Sequence, residues 1–140
     1  MIIDDIIEKT KERVEENKKR NSIDKLAKLA FAKPIYNDFP FEKALRKPGL
    51  SYIMEVKRAS PSKGVITQNF DYKTIAKEYE DIGAAAISVV TEPDFFKGDD
   101  DFLAEIKKIV KIPVLRKDFV IDEYMIYEAK LLGADAVLLI

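Results

Sequence analysis

Two rhythms of apolar residues divide the chain near residue 50. Ahead of that point, Ile2, Ile3, Ile6, Ile7 and Val14 recur at roughly helical spacing among Glu and Lys. This predicts an amphipathic helix over residues 2–20 with its charged face in water. Asn21 and Ser22 interrupt the run, and Ser22 is placed to cap a second helix carrying Leu26, Leu29 and Ala30. Pro34 and Pro40 bracket a loop, Phe41 to Leu45 predict a further helical turn, and Pro48-Gly49 closes the section.

From Ser51 the period shortens. Tyr52 to Lys57 reads as a strand, residues 58–69 as a polar loop, and Asp71 to Ile82 as a helix stopped by Gly83. Ala85 to Thr91 is an apolar strand, and Glu92 to Asp100 a polar loop. Phe102, Ile106 and Ile109 mark a helix. Pro113 to Lys117 is a strand, Asp122 to Leu132 a helix ending at Gly133, and Ala136 to Ile140 an apolar strand. The series β-α-β-α-β-α-β with short connections specifies a parallel sheet with right-handed crossovers. A doubly wound sheet would carry a glycine-rich phosphate turn after its first strand. Residues Arg58 to Gly64 lack that fingerprint, and charged residues sit at strand C-terminal ends, as in the mouth of a closed barrel. The expected architecture is the N-terminal half of a (β/α)8 barrel, with about four parallel strands. Residues 1–50 form a helical extension and residues 51–140 the first four strands.

Alternation along the first strand puts Ile53, Glu55 and Lys57 on one face, and Tyr52, Met54 and Val56 on the other. The apolar set suits packing against helices and the mixed set suits the barrel mouth. Glu55 and Lys57 would serve equally as a structural ion pair. Lys117 ends the third strand, where either a solvent-exposed lysine or a mouth lysine fits. In the second case burial and a nearby Lys57 would favour its neutral amine. Ser60, Ser62 and Lys63 flank Pro61 in a loop that either turns the chain or binds an anion. Phe95, Phe96 and Phe119 either cap the core or wall a ligand.

Composition narrows the chemistry. Of 140 residues, 47% are hydrophobic and 35% charged, with a net charge of -1, so nothing points to nucleic acid or an anionic membrane. There is no run long enough to span a bilayer and no signal-peptide core, and the expected location is the cytoplasm. There is no Cys and no His. Acid–base work would therefore fall to Lys, Glu, Asp or Tyr.

Four segments carry a resemblance. Glu55-Val56-Lys57-Arg58-Ala59-Ser60-Pro61-Ser62-Lys63-Gly64 resembles the signature of the indole-3-glycerol-phosphate synthases. Ser88 to Glu92 with Phe95 to Gly98, Val114 to Phe119, and Gly133 to Ile140 are similar to the same family in the same order. The resemblance implies conversion of 1-(2-carboxyphenylamino)-1-deoxyribulose 5-phosphate to indole-3-glycerol phosphate, with loss of carbon dioxide and water and no metal or organic cofactor. It implies Lys117 as proton donor in ring closure, and Lys57 as a substrate contact that assists later proton transfer. Glu55 would orient both lysines. Ser60 and Pro61 would shape the site, and Phe96, Phe119 and Leu138 would line the pocket for the aromatic ring. In the family a further carboxylate and the main phosphate loops lie on later strands, so this stretch alone is expected to be inactive. It is also expected to self-associate through its open edges. Another phosphosugar barrel such as an isomerase, or a non-catalytic half-barrel assembly unit, are the competing readings.

Overall fold

The computed structural model describes residues 1–140 and contains the expected alternation. Helices α1 (Ile2–Arg20), α2 (Ile23–Ala32) and α3 (Pro40–Leu45) precede strand β1 (Ile53–Val56). A small antiparallel ribbon, β2 (Ala59–Ser60) against β3 (Gly64–Val65), lies within the next loop. There follow α4 (Tyr72–Asp81), β4 (Ala86–Val90), α5 (Asp100–Ile109), β5 (Val114–Lys117), α6 (Glu123–Leu132) and β6 (Ala136–Val137).

Strands β1, β4, β5 and β6 form one parallel sheet in sequential order. A doubly wound sheet reverses direction at a switch point, whereas a barrel wall does not. The sheet has the strand order expected of four consecutive strands in a β/α barrel wall. Register sets the two faces. Val56 pairs with Val89, and Ile87 with Val114. These residues face outward and close a core with Ala76 of α4 and Leu103 and Ile106 of α5. On the other face Glu55, Ser88, Leu115 and Ala136 lie side by side across the four strands. A second cluster joins Val14 of α1 and Leu26 of α2 to Tyr124 and Met125 of α6. The N-terminal helices are thus fastened to the last crossover helix.

Each crossover helix begins on an aspartate that satisfies an otherwise orphaned amide. Asp71 accepts from Thr74 N at 3.1 Å, Asp99 from Asp101 N at 2.8 Å, and Asp122 from Tyr124 N at 2.8 Å. Ser22 caps α2 in the same way. Gly133, at φ 93°, takes the left-handed turn that ends α6.

Four local expectations are corrected. Residues 58–69 are not wholly irregular, because Gly64 at φ 63° turns the chain back into the β2–β3 ribbon. Tyr52 is half exposed rather than packed under the helices, since it lies just before the paired stretch of β1. Leu29 lies outside the α2 core contacts and is 50% exposed. The last strand pairs only at Ala136 and Val137, with a final bond from Leu138 N to Arg116 O at 3.3 Å. It has a neighbour on one side alone.

Replacing Leu103, fully buried in the outer core, by Ala is expected to cost about 3 kcal/mol. Leu29→Ala is expected to change stability by less than about 0.5 kcal/mol. Urea unfolding midpoints of the two variants check this contrast.

Candidate active site

The C-terminal ends of the parallel strands carry the charged inner face. Lys117 leaves β5 two residues beyond Leu115, the inward residue that is level with Ser88, which in turn is level with Glu55. Long side chains span that step. Lys117 Nζ donates to Glu55 Oε2 at 2.8 Å, and Ser88 Oγ donates to the same oxygen at 3.0 Å. Lys57 Nζ stands 3.8 Å from Glu55 Oε1. Lys117 and Lys57 thus stand on the two oxygens of one carboxylate, with Glu55 between them. The side chains of Lys117, Glu55 and Lys57 are 37%, 30% and 34% exposed, so all three are open to a ligand.

Two adjoining cavities lie above this triad. The larger, about 730 Å³, is lined by Lys57, Ser60 and Pro61 from the first βα loop. Phe96 and Phe119 complete its walls, with Ile2, Ile3 and Ile6 of α1 opposite. The smaller, about 150 Å³, is lined by Lys117, Val90 and Glu92 and shares Phe96 and Phe119. The two rings are 6.2 Å apart between centroids. Ser60 is buried, its hydroxyl 3.4 Å from that of Ser62. Seven of the eight expected site residues thus converge, Glu55 through its bond to Lys117. Leu138 lines neither cavity. It lies one residue beyond the end of β6, its amide donating to the carbonyl of Arg116 at 3.3 Å.

Several residues that support the site fall within the segments of resemblance but have no role marked by spacing or periodicity. Arg116, on the outward side of β5, is 2% exposed and donates to Thr91 Oγ1, the carbonyl of Met125, Glu128 and Asp100. Asp118 is equally buried and accepts from Thr91 Oγ1 at 2.8 Å and from Arg13 Nη2 of α1 at 3.0 Å. Glu92, also buried, accepts three backbone amides of the loop bearing Phe96. Their partners lie up to 105 residues away along the chain. No local period reports such pairs.

The family model described as indole-3-glycerol phosphate synthase matches residues 3–140. The chain is 57% identical to the indole-3-glycerol phosphate synthase of Endomicrobium trichonymphae, over all of this chain and 54% of the relative. It is 55% identical to that of Ruminiclostridium cellulolyticum, again over the whole chain and 54% of the relative. With the protein of the same name from Lachnoclostridium phytofermentans the identity is 51%, covering 56% of that protein. The chain spans about half the length of the curated relatives it matches.

The buried network around Arg116 has a pH signature. Burial pushes the carboxyls of Glu128 and Asp100 up from their ordinary values, with Arg116 opposing the shift in each case. A carboxyl raised in the folded state binds its proton more tightly there than in the unfolded chain. Its contribution to stability is therefore full below the ordinary value and is lost as pH rises through the raised one. Glu128→Gln removes that loss while keeping an acceptor for Arg116. The stability of the unsubstituted protein relative to Glu128→Gln is expected to fall between pH 4 and pH 7, as read from urea midpoints at both pH values.

Proposed function

Because this chain belongs to the indole-3-glycerol phosphate synthase family, we propose that its lysine–carboxylate site closes the indole ring of 1-(2-carboxyphenylamino)-1-deoxyribulose 5-phosphate. The observation that carries the reading is the contact of Lys117 Nζ with Glu55 beside a cavity walled by Phe96 and Phe119. The aromatic ring of the substrate lies against the two phenylalanines, and its ketone oxygen comes to Lys117. The ring carbon bearing the carboxylate bonds to the ketone carbon. The carbonyl electron pair moves to oxygen, which takes a proton from Lys117 Nζ. Breaking the bond to the carboxylate releases carbon dioxide and returns its electron pair to the ring. The new hydroxyl then leaves as water with a proton from an acid, and a ring proton passes to a base.

Glu55 holds the Lys117 ammonium toward the cavity before substrate arrives. Lys57, directed to the larger cavity, contacts anionic groups of the substrate and assists the dehydration. Ser60 and Pro61 shape the first βα loop beneath it, and Leu138, one residue past β6, is a strand-end position for an added apolar contact with the ring. The reaction belongs to the cytoplasm, because a sugar phosphate does not cross a bilayer unaided and is consumed where it is made. In the full-length protein, Lys117→Met is expected to lower kcat by about 10²–10⁴-fold with KM little changed. Steady-state kinetics on the aromatic substrate decide it, and a variant with undiminished kcat removes Lys117 from the proton-transfer role.

The 140 residues studied on their own face a different constraint. One edge of β1 and one of β6 have no partner, and Ile53, Leu139 and Ile140 are 47%, 69% and 77% exposed. Open edges and apolar inner faces favour pairing, and a mouth open to water weakens each charge that would act on the substrate. The isolated chain is expected to have a native mass of twice its 16.0 kDa. Its turnover is expected to be at least about a hundredfold below that of the full-length protein. Native mass spectrometry and an assay on the same sample check both, a stable active monomer being the contrary result.

A further inference from the structure

Glu92 borders the cavity of Lys117, yet it has no step in ring closure. Its side chain is 1% exposed. Oε1 accepts from Asp94 N at 2.9 Å, and Oε2 accepts from Phe95 N at 2.8 Å and Phe96 N at 2.9 Å. The carbonyl of Glu92 also accepts from Gly98 N at 2.8 Å. The loop is therefore wound around one carboxylate and closed on the backbone of the residue that carries it. Lys97 within it takes a left-handed φ of 53°, a conformation a lysine holds only where its surroundings dictate it. The closure is tight, since a Cβ on Gly98 would come within 2.5 Å of Val90 O. Arg13 Nη1 lies 3.6 Å from Oε1 and supplies charge without a hydrogen bond.

We propose that Glu92 is a positioning residue that fixes Phe96 as the wall for the aromatic ring of the substrate. Phe96 is the residue of this loop that faces both cavities. Both oxygens of Glu92 are engaged by backbone amides, so it is built to hold the loop and has little capacity left to exchange protons with a ligand. Removing the charge leaves amides of the loop without their acceptor, and the loop releases Phe96.

The inference rests on the reading of the pocket as the site for an anthranilate ring. Its test is a double-mutant cycle in the full-length protein. Unsubstituted protein, Glu92→Gln, Phe96→Leu and the double variant are compared by KM for the substrate and by Kd for 2-aminobenzoate, followed by that probe's own fluorescence. Glu92→Gln is expected to raise both constants about tenfold, with kcat within about twofold. In the Phe96→Leu background the same substitution is expected to change them less than about twofold, because the wall it positions is already gone. Equal shifts in both backgrounds, no shift in either, or a loss confined to kcat overturn the proposal. Should Glu92→Gln not fold, Glu92→Asp, which keeps the charge on a shorter arm, reads the same cycle. Absence of turnover in the unsubstituted protein, with the binding cycle still coupled, would count against ring closure and leave the role of Glu92 standing. Normal turnover with an uncoupled cycle does the reverse.

Discussion

A guanidinium withdrawn from water needs partners for its donors, and Arg116 makes four hydrogen bonds to three different pieces of chain. Its nitrogens reach Thr91 at the end of β4, Asp100 at the start of α5, and Met125 and Glu128 in α6. Leaving any of these unmade in a buried setting would cost more than the bond contributes when made. The spacing between β4, α5 and α6 is therefore constrained by one side chain as well as by apolar packing. Thr91 and Asp118 pass the constraint on. Asp118 takes the Thr91 hydroxyl and the Arg13 guanidinium, which brings α1 against the strand ends. The same strand that sends Arg116 outward sends Lys117 inward, by alternation alone. Rigidity on one side of β5 and chemistry on the other are two consequences of one backbone.

The network carries more acid than base. Asp100, Asp118, Glu128 and Glu92 surround Arg116 and Arg13, and burial works against ionising Asp100 and Glu128. A purely structural cluster could reach the same packing with apolar groups and no such cost. What apolar groups could not do is hold backbone amides. Glu92 holds three of them in the loop after β4, and Asp118 accepts from Phe119 N in the loop after β5. Those two loops deliver the two phenylalanines that face each other across the cavities. The surplus of carboxylates is thereby accounted for by the loops it shapes.

What could be read from the sequence follows from range. Helices α1, α2 and α4 to α6 announce themselves by apolar spacing, and Gly133 by the left-handed turn it makes at the end of α6. The alternation in β1 correctly separates Val56, which packs outward, from Glu55, which meets Lys117. These are properties of neighbours within a few residues. No neighbour in the sequence marks Arg116, because its burial is a property of α5 and α6 closing over it. Glu92 and Asp118 read as loop acids for the same reason. The β2–β3 ribbon has no periodic signal because two residues per strand are too few to show one. The nearness of Glu55 to Lys117 depends on the register of β1, β4 and β5, which no single strand encodes.

Helix α1 shows how one amphipathic segment serves two ends. Val14 enters the cluster with Leu26, Tyr124 and Met125, and Lys18 and Asn17 bond to Asp122 and Glu128 of α6. That half is anchored. The other half places Ile2, Ile3 and Ile6 opposite Lys57, Ser60 and Pro61, where they roof the larger cavity. Arg13 sits between the halves and bonds to Asp118, next to Lys117 in the chain. A helix bound only through its apolar stripe could slide or rotate by a residue at modest cost. A guanidinium set between two buried carboxylates, Asp118 at 3.0 Å and Glu92 at 3.6 Å, resists that slide, since a shift of one residue would leave buried charge without its counterpart. The position of α1 beside the lysines is therefore fixed by polar contacts of Arg13, Asn17 and Lys18, and the apolar residues supply area around the register that those contacts define.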